Sequence, residues 1–171
     1  MSELDEFRRL KDEFLRDPRQ SPLTQEQRQQ FKGLSYFPEN PALRLELPLE
    51  RDPQPERIKM QTSNGAVQDY LKVGQIRFHV DGQEVALRVY ELEEDPGSYF
   101  IPFVDATAPA ETYGAGRYLE PEVFDGDQLL VDFNLAYNPY CAYSDRWSCP
   151  VPPAENRLKV RIEAGEKKFH E

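Results

Sequence analysis

The dipeptide Asp81-Gly82 separates two runs of alternating apolar and polar residues, at 75–80 and 83–90. Asp-Gly is favoured in two-residue hairpin turns because both central residues adopt a positive φ. A turn of this length determines which residues face each other across the two strands, and it sets His79 opposite Glu84. The same register places four apolar side chains on one face of the hairpin: Ile76, Phe78, Val85 and Leu87. We therefore predict an antiparallel hairpin with one buried face.

The period of two that marks half-buried strands recurs along most of the chain. Residues 43–49 and 128–134 place leucine, valine or phenylalanine at every second position. Residues 99–105 are apolar on both faces, which is typical of a buried strand, and Pro102 within them predicts an edge or a bulge. These patterns predict several further strands.

The two ends of the chain carry different patterns. Two capping signals predict two helices, the first ending near Pro18; the capping pairs are Ser2 with Asp5 and Thr24 with Gln27. Residues 158–162 alternate again and predict a closing strand, and the charged residues 166–171 are expected to form a frayed tail. We expect a helical segment, 1–34, to pack on a β-rich domain, 35–171.

A chain of 171 residues corresponds to one domain by the usual size relation. Roughly eight short strands joined mostly by local turns predict a mainly β fold with the order of an antiparallel meander. Such chains avoid exposed strand edges by closing into a barrel or by stacking two sheets. We predict a partly closed barrel with the two N-terminal helices across one side or mouth, and a two-sheet sandwich is the alternative.

The charge of the chain restricts its partners. It has 31 acidic and 21 basic residues, a formal net charge of −10, and no cluster of lysine or arginine. An acidic surface repels nucleic-acid phosphates and anionic membranes, so we predict neither as a partner. No stretch approaches the roughly 20 apolar residues of a membrane span, and the first residues contain no apolar leader. We expect a cytoplasmic location; the sequence carries no signal for an oligomeric state or a cofactor.

One connection, residues 132–157, contains both cysteines, the only tryptophan, three tyrosines and four prolines. A loop this long in a compact domain is usually functional or structurally held. Seven residues separate Cys141 from Cys149, which matches neither a C-x-x-C redox motif nor common zinc-ligand spacing. We predict two free, packed cysteines and no metal site; a disulfide, a zinc site and a nucleophilic Cys141 are the alternatives.

Three carboxylates are candidates for catalysis because they lie at strand ends or in the proline-rich run: Asp105, Asp132 and Glu155. Two of them within about 5 to 9 Å could divide the roles of acid and base, as in glycoside hydrolases. Aspartate and asparagine at strand ends more often accept backbone N–H groups, so capping is the favoured alternative.

The segment 112–118 combines Gly114 and Gly116 with Arg117. Its backbone could approach an anion while the guanidinium supplies paired donors. A tight turn in which Arg117 pairs with an internal carboxylate is the favoured alternative, because the remaining features of a nucleotide-binding loop are missing. The surrounding tyrosines could line a ligand pocket or belong to the core.

Four long strings carry a family resemblance over about residues 21–165: I-P-F-V-D-A-T at 101–107, E-T-Y-G-A-G-R-Y-L at 111–119, D-F-N-L-A-Y-N-P-Y-C-A-Y at 132–143 and S-C-P-V-P-P-A-E-N-R at 148–157. With these strings the chain resembles the bacterial and archaeal family known as domain of unknown function 1684. The resemblance implies no activity, cofactor or catalytic residue.

We predict a small-molecule-binding or enzymatic pocket where the 105–118 and 132–157 segments meet. The predicted ligand-binding residues are Tyr113, Arg117, Tyr118, Asn134, Tyr137, Asn138, Cys141, Tyr143 and Asn156. The alternative is a non-catalytic structural or protein-interaction domain, in which the same residues hold an unusual loop in place.

Overall fold

The computed structural model of the protein describes residues 2–170. The helices are α1 (Glu3–Arg16) and α2 (Gln25–Gln30). The strands are β1 (Arg44–Pro48), β2 (Glu50–Gln61), β3 (Val67–Val80), β4 (Gln83–Leu92), β5 (Tyr99–Phe103), β6 (Arg117–Leu119), β7 (Glu122–Asp125) and β8 (Gln128–Asp132). Neither α-helix in this part of the chain is long and apolar enough to cross a membrane.

The fold is mainly β, with two antiparallel sheets in the orders β2-β3-β4-β5-β6 and β1-β8-β7. Within residues 2–170 no ladder joins the sheets, so the predicted barrel is wrong and the two-sheet alternative fits. The loop after β8 occupies an edge on which a barrel would close. The backbone of Tyr118 in β6 exchanges hydrogen bonds of 2.8 and 3.0 Å with Tyr137 of that loop.

The main core lies between the two sheets and takes buried side chains from both. Phe133, which directly follows β8, packs 5.3 Å from Phe78 and 5.5 Å from Phe103, measured between ring centroids. The alternating leucines of β1 and the valine and leucine of β8 complete the same cluster: Leu45, Leu47, Leu129 and Val131. The period of two therefore marks the residues that join the sheets, because every second side chain of a strand points to one face.

The β3–β4 hairpin confirms the predicted register. His79 pairs with Glu84, and the pairing continues to Ile76 opposite Leu87. Asp81 has φ 50° and Gly82 has φ 80°, as a tight turn with two left-handed residues requires.

Strand β5 is buried along its whole length and lies between β4 and β6, as its two-sided apolar pattern indicates. Its ladder to β4 covers only its first two residues. Beyond them the amide of Asn156 bridges the strands: it accepts from Arg88 N (2.8 Å) and donates to Arg88 O (3.1 Å) and Pro102 O (2.8 Å). Pro102 therefore lies where the β4 ladder has already ended, and its missing N–H removes no bond of that ladder.

The C-terminal segment differs from both predictions made for it. Residues 158–162 do alternate between exposed and buried positions, but they form no strand. Their backbone hydrogen bonds are isolated, for example 2.7 Å from Leu158 N to Val104 O. The expected frayed tail is wrong over 166–170, because Glu166 is only 1% exposed and Lys167 N donates to Ser35 O at 2.8 Å. Residue 171 of the predicted tail lies outside the described residues.

Both predicted capping boxes are present, at Ser2 for α1 and at Thr24 for α2. The helical segment contacts the remainder of the chain through an ion pair between Lys11 and the buried Glu166. A small apolar cluster adds to this contact; its buried members are Leu15, Leu23 and Tyr143.

Candidate functional site

Arg117 lies in the interior and binds the C-terminal segment of its own chain. Its side chain is 1% exposed. Its guanidinium donates to the backbone carbonyls of Ile162 (3.0 Å), Ala164 and Glu166 (3.2 Å), and to Asp105 Oδ1 (3.3 Å). Burial lowers the pKa of Arg117, and the Asp105 carboxylate acts in the opposite direction. The guanidinium thus makes four hydrogen bonds inside the fold, three to backbone carbonyls and one to a carboxylate.

Asp105 completes this buried network. Its Oδ2 accepts 2.7 Å from Ile162 N, and the carboxylate also accepts from the hydroxyl of Thr107. That hydroxyl lies 2.9 Å from the hydroxyl of Thr112, at the far end of the turn. The carboxylate therefore ties the end of β5 to the C-terminal segment and to the 107–112 turn.

The other two candidate carboxylates have separate partners. Asp132 Oδ1 accepts from both nitrogens of Asn134, at 3.0 Å (backbone) and 2.9 Å (side chain). Glu155 Oε1 accepts 2.7 Å from the Tyr90 hydroxyl, and its Oε2 is 3.6 Å from Arg88 Nε. Within residues 2–170 the three carboxylates share no hydrogen-bond or ion-pair partner. Each of the three carboxylates thus has its own set of partners in the fold.

The three predicted asparagines bind backbone, each with its side chain buried. Asn134 accepts 2.8 Å from Asn40 N and donates 3.0 Å to Asn40 O, which reproduces the two bonds of a strand pair. Asn138 donates 2.9 Å to Lys167 O. Together with Asn156 between β4 and β5, these amides hold irregular segments that no ladder reaches.

Tyr118 and Tyr137 lie elsewhere, in a surface cleft on the outer face of the five-stranded sheet. The cleft has a volume of about 600 Å³, within the range of small-molecule sites. We call it the tyrosine cleft. Its aromatic lining residues are Tyr70, Tyr99, Phe100, Tyr118 and Tyr137, and its charged lining residues are Asp95, Glu120 and Glu122. Two of the predicted ligand-binding residues thus meet at a cleft.

The rings of the tyrosine cleft form a continuous aromatic wall. Tyr70 stacks on Phe100 with centroids 5.6 Å apart. Phe100 meets Tyr118 edge to face at 4.8 Å, and Tyr118 meets Tyr137 edge to face at 5.8 Å. Such offset and edge-to-face pairs are favoured by the ring quadrupoles and hold each ring in one orientation.

The hydroxyls of the two predicted tyrosines have partners at the rim. Tyr118 donates to the carbonyl of Pro150, and Tyr137 donates to Glu120 Oε1. Burial raises the pKa of both tyrosines, and the bond to Glu120 raises that of Tyr137 further. Both hydroxyls therefore remain protonated donors at neutral pH.

We expect the protein to lose stability steeply above about pH 10. Burial raises the pKa of seven tyrosines: Tyr36, Tyr70, Tyr90, Tyr113, Tyr118, Tyr137 and Tyr143. The unfolded chain releases these protons near pH 10 while the folded chain retains them. The stabilisation is complete below that pH and declines by about 1.4 kcal/mol per pH unit for each tyrosine above it. Urea unfolding between about pH 9 and pH 11 measures the slope.

The variant Tyr143→Phe tests the origin of this slope. It removes one titrating group, so the fall in the free energy of unfolding above about pH 10 should become shallower by about 1.4 kcal/mol per pH unit. An unchanged slope would show that another group controls alkaline unfolding.

The cysteines form a separate group around Ser63, in the β2–β3 turn. The Cys141 thiol lies 3.0 Å from Ser63 Oγ and donates 2.9 Å to the carbonyl of Trp147, while Cys149 N donates 3.2 Å to the same Ser63 Oγ. Both thiols are free and half-buried, and together with burial they raise the pKa of the nearby Tyr113. Within residues 2–170 no three histidine, cysteine or carboxylate side chains are grouped to hold a metal.

Several residues of the tyrosine cleft were missed by sequence reasoning, notably Tyr70, Phe100 and Glu120. A signal for the first two was available. Phe100 belongs to the stretch that is apolar on both faces, and Tyr70 lies on the face of β3 opposite Leu71, which packs on the main core. A strand that buries both faces requires a second apolar layer.

Comparison with solved structures identifies an uncharacterized protein of Haloarcula marismortui, determined in solution by NMR. It is 39% identical, covers 98% of this chain and 94% of its own, and superposes with a TM-score of 0.75. A search of curated proteins found no match. A family model described as protein of unknown function (DUF1684) matches residues 29–167, which include every strand. The chain therefore belongs to the DUF1684 family.

Proposed function

We propose that the protein binds a small molecule with a positive charge in the tyrosine cleft. The observation that carries this proposal is the charge of the lining: each of its charged residues, Asp95, Glu120 and Glu122, is acidic. Carboxylates at the mouth of a cleft concentrate cations there, and the net charge of −10 adds to the attraction.

The aromatic wall supports the same class of ligand. A cation over the face of a tyrosine or phenylalanine is attracted by the ring quadrupole, and this attraction increases when water is excluded. Tyr137 already takes part in such a contact, because Lys11 Nζ lies 5.1 Å from its ring centroid. An amine or a quaternary ammonium group fits a site in which carboxylates and ring faces lie side by side.

Binding is proposed without a catalytic step. The candidate carboxylates Asp105, Asp132 and Glu155 are engaged in separate networks of the fold. Their contacts favour the alternative role for these residues, the structural one, in which they hold loops in place. The proposal thus assigns ligand binding to Tyr118 and Tyr137, and support of the fold to Arg117 and the asparagines.

The test titrates the protein with benzyltrimethylammonium chloride and follows backbone amide shifts by NMR. We expect shifts concentrated on residues 118–122 and 137, and weaker effects from benzenesulfonate, an anion of similar size. The variant Glu120→Gln should weaken binding of the cation about three- to fivefold, because it removes one charge at an exposed site. Glutamine retains an oxygen that can accept from Tyr137, so the wall of the cleft should persist.

The matched control is Glu46→Gln, which removes an exposed carboxylate on β1 that does not line the cleft. It should leave the affinity within experimental error of the wild type. Equal binding of the anion and the cation, or shifts scattered over the surface, would contradict the proposal.

A further inference from the structure

The two cysteines meet although seven residues separate them. Their loop folds back on the β2–β3 turn, where Ser63 N donates 2.9 Å to Cys149 O and Ser63 Oγ contacts both cysteines. Ser63 Oγ lies 3.0 Å from the Cys141 sulfur and 3.2 Å from the Cys149 backbone nitrogen. Val151 N continues the attachment with a bond of 2.8 Å to Gln61 O. The fold, rather than the spacing along the chain, brings the two cysteines to the same serine.

We infer that Cys141 and Cys149 are an oxidisable dithiol, which a low-molecular-weight disulfide converts into an intramolecular disulfide in the folded protein. This modification site is independent of the ligand proposed for the tyrosine cleft. Both cysteines are half-buried rather than enclosed in the core, so the pair lies near the surface. A bond between them would close a short loop already held at its base by Ser63.

The reaction proceeds by two thiol–disulfide exchanges. The thiolate of Cys141 attacks one sulfur of glutathione disulfide, and one glutathione thiolate leaves. Cys149 then loses its proton and attacks the Cys141 sulfur of the mixed disulfide, which releases the second glutathione. The protein has lost two protons and two electrons, and one glutathione disulfide has become two glutathione thiols.

The environment assigns an order to the two cysteines. Burial and the neighbouring Cys141 thiol raise the pKa of Cys149 to about 12, so its thiolate is scarce at neutral pH. The Ser63 hydroxyl touches the Cys141 sulfur and can donate to its thiolate, so Cys141 is the residue that attacks first. Cys149 becomes effective only in the second step, where it lies beside the mixed disulfide.

The experiment equilibrates the full chain with defined ratios of glutathione and glutathione disulfide and measures the intact mass. The disulfide form is lighter than the dithiol by two hydrogen atoms, and the midpoint ratio yields the effective concentration of the thiol pair. We expect this concentration to be higher in the native protein than in the urea-unfolded protein by about tenfold or more. By linkage, the oxidised protein should then unfold at a higher urea concentration.

Single variants test the order of attack. The reaction of Cys149→Ser with glutathione disulfide should stop at one glutathione bound to Cys141. Cys141→Ser should react with glutathione disulfide more slowly than Cys149→Ser. A faster reaction of Cys141→Ser would overturn the order. Equal effective concentrations in native and unfolded protein, or disulfide-linked dimers of the wild type, would overturn the proposal itself.

Discussion

Replacing Arg117 by methionine is expected to lower the free energy of unfolding by about 3 to 5 kcal/mol. The substitution leaves the Asp105 carboxylate buried, at 3% exposure, without its charged partner. It also removes the donors of three backbone carbonyls in the C-terminal segment. That segment forms no strand, so its carbonyls depend on a side chain for hydrogen bonds that a ladder would otherwise supply. Urea unfolding at neutral pH measures the effect.

The control for this prediction is Arg161→Met, on the same C-terminal segment. Arg161 also pairs with carboxylates, Glu111 and Glu163, but its side chain is 42% exposed. Exposed ion pairs contribute about 1 kcal/mol or less, so the variant should remain close to the wild type. Similar losses from both substitutions would mean that the buried network contributes no more than a surface pair.

Gly116→Ala is expected to cost about 2 to 5 kcal/mol, the sum of a strained φ and a steric clash. Gly116 has φ +105°, and a Cβ atom built on it would lie 2.6 Å from Phe103 O and 2.9 Å from Pro152 Cγ. The carbonyl belongs to β5 and cannot move without disturbing the main core, so the clash cannot relax cheaply. The measurement is again the free energy of unfolding in urea.

Gly97→Ala separates the two contributions. Gly97 has φ +93°, but a Cβ atom there would have no neighbour within 4 Å. Its expected cost is therefore the backbone part alone, about 1 to 2 kcal/mol. If the two alanine variants lose the same stability, close packing at Gly116 is not what requires glycine.

The adjacent residues Gly116 and Arg117 show why the 112–118 loop is difficult to interpret from sequence. A glycine followed by an arginine is compatible with an anion site, since both features bring donors toward a ligand. In the structure the glycine permits close approach to β5, and the arginine binds carbonyls of residues 162–166. The pairing of Arg117 with an internal carboxylate, here Asp105, agrees with the favoured alternative. The carbonyl partners come from more than forty residues away, and no local pattern indicates them.

The tyrosine cleft shows the same difference between residues that local sequence indicates and residues that only the fold brings together. Two of its residues, Tyr118 and Tyr137, were predicted because they lie in dense aromatic segments. Tyr70, Phe100 and Glu120 were not, since each lies at an unremarkable place along the chain. They meet because β3, β5 and β6 belong to one sheet and the loop after β8 pairs with β6 at Tyr118.

By itself the sequence determined the elements whose geometry depends on near neighbours. The Asp81-Gly82 turn, the register of its hairpin, both capping boxes and the buried faces of β1 and β8 all follow from periods and turn preferences that act over a few residues. Only the tertiary structure decided that the sheets remain open, that residues 158–170 dock without forming a strand, and that two separated cysteines meet at Ser63. Those outcomes depend on which backbone groups find partners across the whole molecule, and a pattern of period two carries no information about that choice.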